Sequence, residues 1–140
     1  MSGNSYRVGR VSVNCPSMMK KILVIGAGKS ATCLIDHLVA ITAQKGWTLS
    51  VADADESLAR SKVKGAQHCH AIQLDISDEH KRKECINPSD IVISLLPPHL
   101  HILAARTCIE LGKNLLTASY LDEGIKSLEK EINTKNILFL

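Results

Sequence analysis

Aromatic residues are scarce in this 140-residue chain, which has one Trp, one Phe and two Tyr. So few rings cannot form the stacking surface on which single-stranded nucleic acids are bound. The apolar content comes mainly from Val, Ile and Leu, and this composition is typical of a parallel sheet covered by helices. The length is that of one domain able to bury its own core.

Long apolar runs and paired cysteines are also absent. No run approaches the roughly 20 apolar residues of a membrane-spanning helix. The five cysteines are widely spaced and never form a Cys-x-x-Cys pair, which indicates reduced thiols and a cytoplasmic location. His68, Cys69 and His70 are adjacent, so on an extended segment they would point to opposite faces, and we predict no metal site.

The chain has no strong excess of charge of one sign. The formal net charge is +3, but residues 1–21 hold four bases and no acid, which leaves 13 bases against 14 acids in the rest. A nearly neutral body offers no electrostatic footprint for nucleic acid. We expect residues 1–18 to be a disordered leader or tag-like extension, and residues 19–140 to be the folded domain.

One stretch, KKILVIGAGKSA, passes from an apolar strand pattern through a glycine turn into a helical pattern. The spacing Gly26-x-Gly28-x-x-Ala31 is the dinucleotide-binding fingerprint with alanine in third place. Gly26 would form the tight turn, Gly28 would let the pyrophosphate approach, and Ala31 would let helix and strand touch. Lys29 and Ser30 lie in the same turn, so they are candidate coenzyme-binding residues as well.

The next apolar strand pattern, WTLSVA, ends at Asp53. In dinucleotide-binding folds an acid about 20 residues beyond the glycines binds the adenosine ribose. Asp53 and the following Ala54 are therefore candidate coenzyme-binding residues. The alternative is an ordinary aspartate in a turn.

The remaining sequence alternates between strand and helix patterns. The predicted strands after the second are 71–74, 90–96, 114–117 and 136–140, and the predicted helices are 56–63, 78–86, 99–111 and a last one capped by Asp122. This alternation predicts an α/β fold with a doubly wound parallel Rossmann sheet, in the order 3-2-1-4-5-6.

The ends of the third and fourth strands supply further candidates. The residue after the third strand lies near the adenine in dinucleotide folds, which points to Asp75 and Ile76, although the same segment has good helix-capping chemistry. The fourth strand ends beside the switch point of the sheet, where the nicotinamide half would pass. Its candidate coenzyme-binding residues are Ser94, Leu95, Leu96 and Pro97.

Two other nucleotide-binding functions make different demands on the sequence. A nucleoside-triphosphatase P-loop would need a glycine where the sequence has Leu23, so Gly28-Lys29-Ser30 is not such a motif. A nucleotide sensor without catalysis fits the length of the chain. The sequence contains no Tyr-x-x-x-Lys dyad or hydrolase triad that would indicate catalysis. We therefore assign no catalytic residue.

Five segments together resemble the amino-terminal coenzyme domain of saccharopine dehydrogenases: VIGAGKSA, VADAD, DIVISLLPPHLH, GKNLLTASY and KNILFL. The resemblance covers about residues 20–140, and the wider group includes carboxynorspermidine and homospermidine-type synthases. It implies a coenzyme domain for hydride transfer to NAD(P), in which saccharopine is interconverted with glutamate and 2-aminoadipate semialdehyde. Ser119 and Tyr120 match a family loop near the bound amino acid. The residues that match the family's coenzyme positions are Gly26, Gly28, Lys29, Ser30, Asp53, Asp75, Ile76 and 94–97.

The sequence departs from the family pattern in two places. Members that use NADP tend to have a basic residue after the second strand, whereas Asp53 stands here, so we expect NAD to be preferred over NADP. The family's downstream substrate domain is absent, so we expect a fragment that binds dinucleotide weakly, is nearly inactive alone, and takes an amino-acid substrate only with that domain. A free sheet edge at the sixth strand would permit a homodimer.

Overall fold

The computed structural model describes residues 19–117, 127–135 and 139. The strands of this part are β1 (Lys21–Ile25), β2 (Thr48–Asp53), β3 (Cys69–Gln73), β4 (Ile91–Ser94) and β5 (Asn114–Thr117). All neighbours are parallel, and the order across the sheet is β3-β2-β1-β4-β5. The predicted α/β Rossmann architecture is confirmed, with its first five strands in the expected order.

Helices connect successive strands, as parallel pairing requires. They are α1 (Thr32–Lys45), α2 (Glu56–Val63), α3 (Glu79–Ile86), α4 (His101–Leu111) and α5 (Glu129–Thr134), with short 3-10 turns at Lys29–Ala31 and Pro98–Leu100. Helix α1 ends at Lys45, and the cap residue that follows, Gly46, is in the left-handed conformation at φ 71°. This end of α1 was predicted from the Lys45-Gly46 pair.

The central strand β1 is buried on both faces, and its side chains alternate between two cores. Ile22 and Val24 pack among residues of α1 and α2, whereas Leu23 and Ile25 pack among residues of α3 and α4. The main helix residues of the two cores are Ile35, Leu38, Ala59 and Val63 on one side, and Ile86, Ala104, Ala105, Cys108 and Ile109 on the other. Burial of β1 on both faces explains its unbroken apolar sequence.

Two predicted strands are shifted or shortened. The third strand begins at Cys69 and ends at Gln73, because pairing with β2 joins Leu49 to Cys69 and Asp53 to Gln73. The fourth strand stops at Ser94, which pairs with Ile25, the last residue of β1. Beyond that point Gly26 turns away, so β4 loses the neighbour that would extend it to residue 96.

The predicted sixth strand falls largely outside the described residues. Phe139 alone is described, and it forms an isolated parallel bridge with Leu115 of β5. This contact lies beside β5, where the sixth strand was expected. The predicted leader, Asp122, and the two residues Ser119 and Tyr120 are also outside the part of the chain that the structure describes.

The four described cysteines are free thiols. Cys108 is buried, and desolvation raises the pKa of its thiol to about 12. Cys33 is exposed. Within the described ranges, no three His, Cys, Asp or Glu side chains come together as metal ligands would, and no helix is long and apolar enough to cross a membrane.

Candidate functional site

The glycine turn lies at the carboxyl end of β1, on the central strand of the sheet. Gly26 has φ 110° and its N–H donates to the Ala52 carbonyl of β2 (2.8 Å). Gly28 is extended, with φ −68° and ψ −179°, and its carbonyl accepts the Ala31 N–H (3.0 Å) to close the 3-10 turn that leads into α1. The chain thus leaves the sheet and enters a helix within a few residues, as a phosphate-binding turn does.

The two glycines are required for different reasons. A Cβ at Gly26 would lie 3.1 Å from both the backbone carbon and the oxygen of Leu95, and the backbone there is in a region that favours glycine. A Cβ at Gly28 would meet no atom of the described residues within 4 Å. Gly26 is therefore fixed by the protein's own packing, whereas the space beside Gly28 is open to solvent or to a ligand.

The amino-terminal end of α1 lacks the side-chain cap that α2 and α3 have, and α4 also begins without one. Asp55 accepts N–H groups at the start of α2, and Asp78 does so at the start of α3. At α1 the cap residue is Ala31, which makes no side-chain hydrogen bond, and the first turn has no acid. The positive end of this helix dipole is therefore not neutralised by the described side chains.

The side chain of Asp53, at the end of β2, is hydrogen-bonded to the glycine turn. The Ala27 N–H donates to its Oδ2 (2.7 Å), and the Asp55 N–H donates to its Oδ1 (2.9 Å). The side chain is half-buried. Each carboxylate oxygen has a second acceptor site, so these bonds leave room for ribose hydroxyls. Asp53 thus acts as a turn residue and still lies where a ribose-binding acid is expected.

The two candidates after β3 have local roles. Asp75 Oδ1 accepts both the hydroxyl (2.6 Å) and the N–H (3.0 Å) of Ser77, and these bonds lower the pKa of the Asp75 carboxyl. Ile76 is 8% exposed and packs in the core on the α3 and α4 side. The Leu74 N–H donates to the Asp53 carbonyl (2.9 Å), which holds this loop beside the end of β2.

The candidates after β4 divide between the turn and the core. The Leu95 N–H donates to the Ile25 carbonyl (2.8 Å), which brings Leu95 against Gly26. Leu96 is half-buried against the core, and Pro97 is exposed at the start of the 3-10 turn. Ser94 is fully buried.

The partner of Ser94 was missed by sequence reasoning. A hydrogen bond of 2.7 Å joins Ser94 Oγ to Nδ1 of His101, the first residue of α4, which is 1% exposed. A serine within an otherwise apolar strand was the available signal, since buried hydroxyls need a partner. The pair anchors the start of α4 to the end of β4, on either side of the predicted nicotinamide loop.

Replacing Ser94 by alanine is expected to lower the free energy of unfolding by about 1–3 kcal/mol, because a buried imidazole nitrogen loses its partner. Urea unfolding measures this loss. Ser61→Ala, on an exposed face of α2, is the control and is expected to change stability by less than ~0.5 kcal/mol. Equal midpoints for the two variants would show that the Ser94–His101 bond adds nothing.

The structure brings Gly26, Ala27, Asp53 and Leu95 together at one edge of the sheet. A glycine turn on the central strand, an uncapped helix after it, and an acid at the end of the next strand define a dinucleotide-binding Rossmann domain. Similarity to known proteins identifies which kind of dinucleotide-binding domain this is. Residues 22–140 match the model of the saccharopine dehydrogenase NADP binding domain, and the chain belongs to this family, as its sequence segments indicated.

Individual relatives agree with the family match. Alpha-aminoadipic semialdehyde synthase of Arabidopsis thaliana is 32% identical over 144 residues, covering 89% of this chain and 14% of that protein. Saccharopine dehydrogenase [NADP(+), L-glutamate-forming] of Schizosaccharomyces pombe is 30% identical over 112 residues, covering 80% of this chain and 24% of that protein. The chain thus spans less than a quarter of the length of either relative.

A solved structure shows the same fold. The apo form of histidine-tagged saccharopine dehydrogenase (L-Glu forming) from Saccharomyces cerevisiae superposes with a TM-score of 0.77 at 27% identity. The match covers 86% of this chain and 26% of that one. The chain therefore corresponds to the coenzyme-binding portion of this oxidoreductase family.

Proposed function

We propose that this chain binds a nicotinamide adenine dinucleotide across the carboxyl edge of its sheet. The observation that carries the proposal is the uncapped start of α1 beside the open space at Gly28. Backbone N–H groups and the helix dipole there suit a pyrophosphate. The ribose of the adenosine half would bind Asp53, and the nicotinamide half would pass the backbone of residues 94–97.

The activity of the complete enzyme is proposed from the relatives. Two of these relatives are alpha-aminoadipic semialdehyde synthase and L-glutamate-forming saccharopine dehydrogenase. We propose that this domain serves hydride transfer between saccharopine and its products, with the amino acid bound by a further domain. We propose a cytoplasmic location, where the four described free thiols would stay reduced; the names of the rat and mouse relatives place those proteins in mitochondria.

We propose that NAD is preferred over NADP, although the family model and the yeast-type relatives are named for NADP. The support is Asp53, since a carboxylate accepts the 2′-hydroxyl of NAD and repels the 2′-phosphate of NADP. Titration of the chain with NADH and NADPH tests this proposal. Tighter binding of NADPH would overturn the preference, and binding of neither would overturn dinucleotide binding itself.

An Asp53→Asn variant is expected to shift the ratio of NADH to NADPH affinity toward NADPH by about tenfold, because it removes one unit charge near the 2′ position. Asp55→Asn is the matched control. Asp55 is exposed and caps α2 through Ser57 and Leu58, so its neutralisation should change the ratio by less than about twofold. An equal shift in both variants would mean that general charge, and not contact with Asp53, sets the preference.

A further inference from the structure

Arg82 has a buried guanidinium between α3 and α4. The residue is 7% exposed. Its Nη1 donates to the Ile76 carbonyl (2.6 Å) and its Nε donates to the Thr107 hydroxyl (2.7 Å). The Thr107 hydroxyl in turn donates to the Leu103 carbonyl of α4 (3.2 Å). Arg82 thus connects the loop after β3 to the middle of α4.

Both of these hydrogen-bond partners are neutral groups, and Arg82 also interacts electrostatically with Glu79, whose carboxyl pKa is lowered mainly by Lys83 and to a lesser degree by Arg82. Burying a guanidinium costs free energy that hydrogen bonds to neutral acceptors offset only in part, but its removal would leave the Ile76 carbonyl and the Thr107 hydroxyl without this donor. The two bonds therefore fix the position of the loop after β3 relative to α4. What Arg82 specifies is the position of the Ile76 carbonyl.

The loop that Arg82 holds lies at the predicted adenosine end of the site. Its first residue, Leu74, bonds the Asp53 carbonyl, so the loop is attached to the end of β2. On its outer side Asp75 and Ser77 close a turn on each other. Arg82 fixes the inner side, and the outer rim of the loop is then presented toward the carboxyl edge of the sheet.

We propose that Arg82 is a positioning residue for the adenosine half of the dinucleotide. It acts through Ile76, whose carbonyl it holds, and does not touch the ligand. The inference rests on the proposed function and deepens it, since it names a residue outside the ligand contacts that holds the loop expected near the adenine.

The test compares two half-ligands on the full chain. ADP-ribose carries the adenosine half, and reduced nicotinamide mononucleotide carries the other half. In Arg82→Met, affinity for ADP-ribose measured by NMR titration is expected to fall about tenfold, because the loop after β3 is no longer held in place and must be ordered when the ligand binds. Affinity for the mononucleotide should change by less than about twofold. Arg82→Lys keeps the charge but can reach only one acceptor, so its loss of ADP-ribose affinity should be smaller. This variant decides the test if Arg82→Met does not fold.

Thr107→Val is the matched control. It removes the second acceptor of Arg82 and lowers stability, but leaves the bond to the Ile76 carbonyl, so ADP-ribose affinity should change by less than about twofold. Three results would each overturn the inference and leave dinucleotide binding intact. They are equal losses for both half-ligands, a loss in Thr107→Val as large as in Arg82→Met, and unchanged ADP-ribose affinity in the Arg82 variants. A wild-type chain that binds neither half-ligand would overturn both.

Discussion

A Gly26→Val variant is expected to lose about 2–5 kcal/mol of folding free energy, because a side chain there brings both backbone strain and overpacking. Gly26 has φ 110°, and an added Cβ would lie 3.1 Å from two backbone atoms of Leu95. Leu95 cannot withdraw easily, since its N–H is bonded to the Ile25 carbonyl. Such a loss is a large part of the total stability of a small domain. Urea unfolding followed by circular dichroism measures it.

Gly46→Ala separates strain from overpacking. Gly46 also has a positive φ, 71°, but among the described residues a Cβ there would meet no atom within 4 Å. Its replacement should cost only about 1 kcal/mol, the strain of the left-handed conformation. If Gly26→Val is no more destabilising than Gly46→Ala, the contact with Leu95 does not constrain the turn.

The elements that sequence reasoning located best have signals within the segment itself. Helix α2 follows a capping aspartate and spans Glu56–Val63 as predicted, and β5 spans Asn114–Thr117 as predicted. The third strand was placed two residues late because it lies at the edge of the sheet, where the exposed His70 and Gln73 hide the strand pattern. Its bounds depend on pairing with β2, which no local pattern contains.

The candidate site also combines features that a local sequence pattern shows with features that only the packing of the fold determines. The glycine turn and Asp53 were identifiable because a phosphate-binding turn requires fixed residue types at fixed spacing. The bond from the Ala27 N–H to Asp53 joins residues 26 positions apart, and the Ser94–His101 and Arg82–Ile76 contacts also depend on how elements pack. Hydrogen bonds of this kind follow from the tertiary structure, so a sequence pattern can suggest that a buried polar residue has a partner but not which one.

A Gly28→Val variant is expected to keep the stability of the wild-type chain and to lose NADH affinity by about 10- to 100-fold, the effect of overpacking a contact by 1–3 kcal/mol. Its backbone, with φ −68° and ψ −179°, suits any residue, and a Cβ added there meets no atom of the described residues within 4 Å. The side chain would instead occupy the space through which the pyrophosphate approaches the start of α1.

Gly28→Ala should give a smaller loss of affinity, since the clash grows with the volume added at this position. Ala43→Val, on an exposed position of α1, controls for added bulk away from the turn and should leave NADH binding unchanged. We therefore expect opposite effects at the two glycines. Substitution of Gly26, which is closed in by Leu95, should lower stability, whereas substitution of Gly28, which faces open space, should lower NADH affinity. NADH titration together with urea unfolding distinguishes them. Near-wild-type NADH affinity in Gly28→Val would place the dinucleotide elsewhere on the domain.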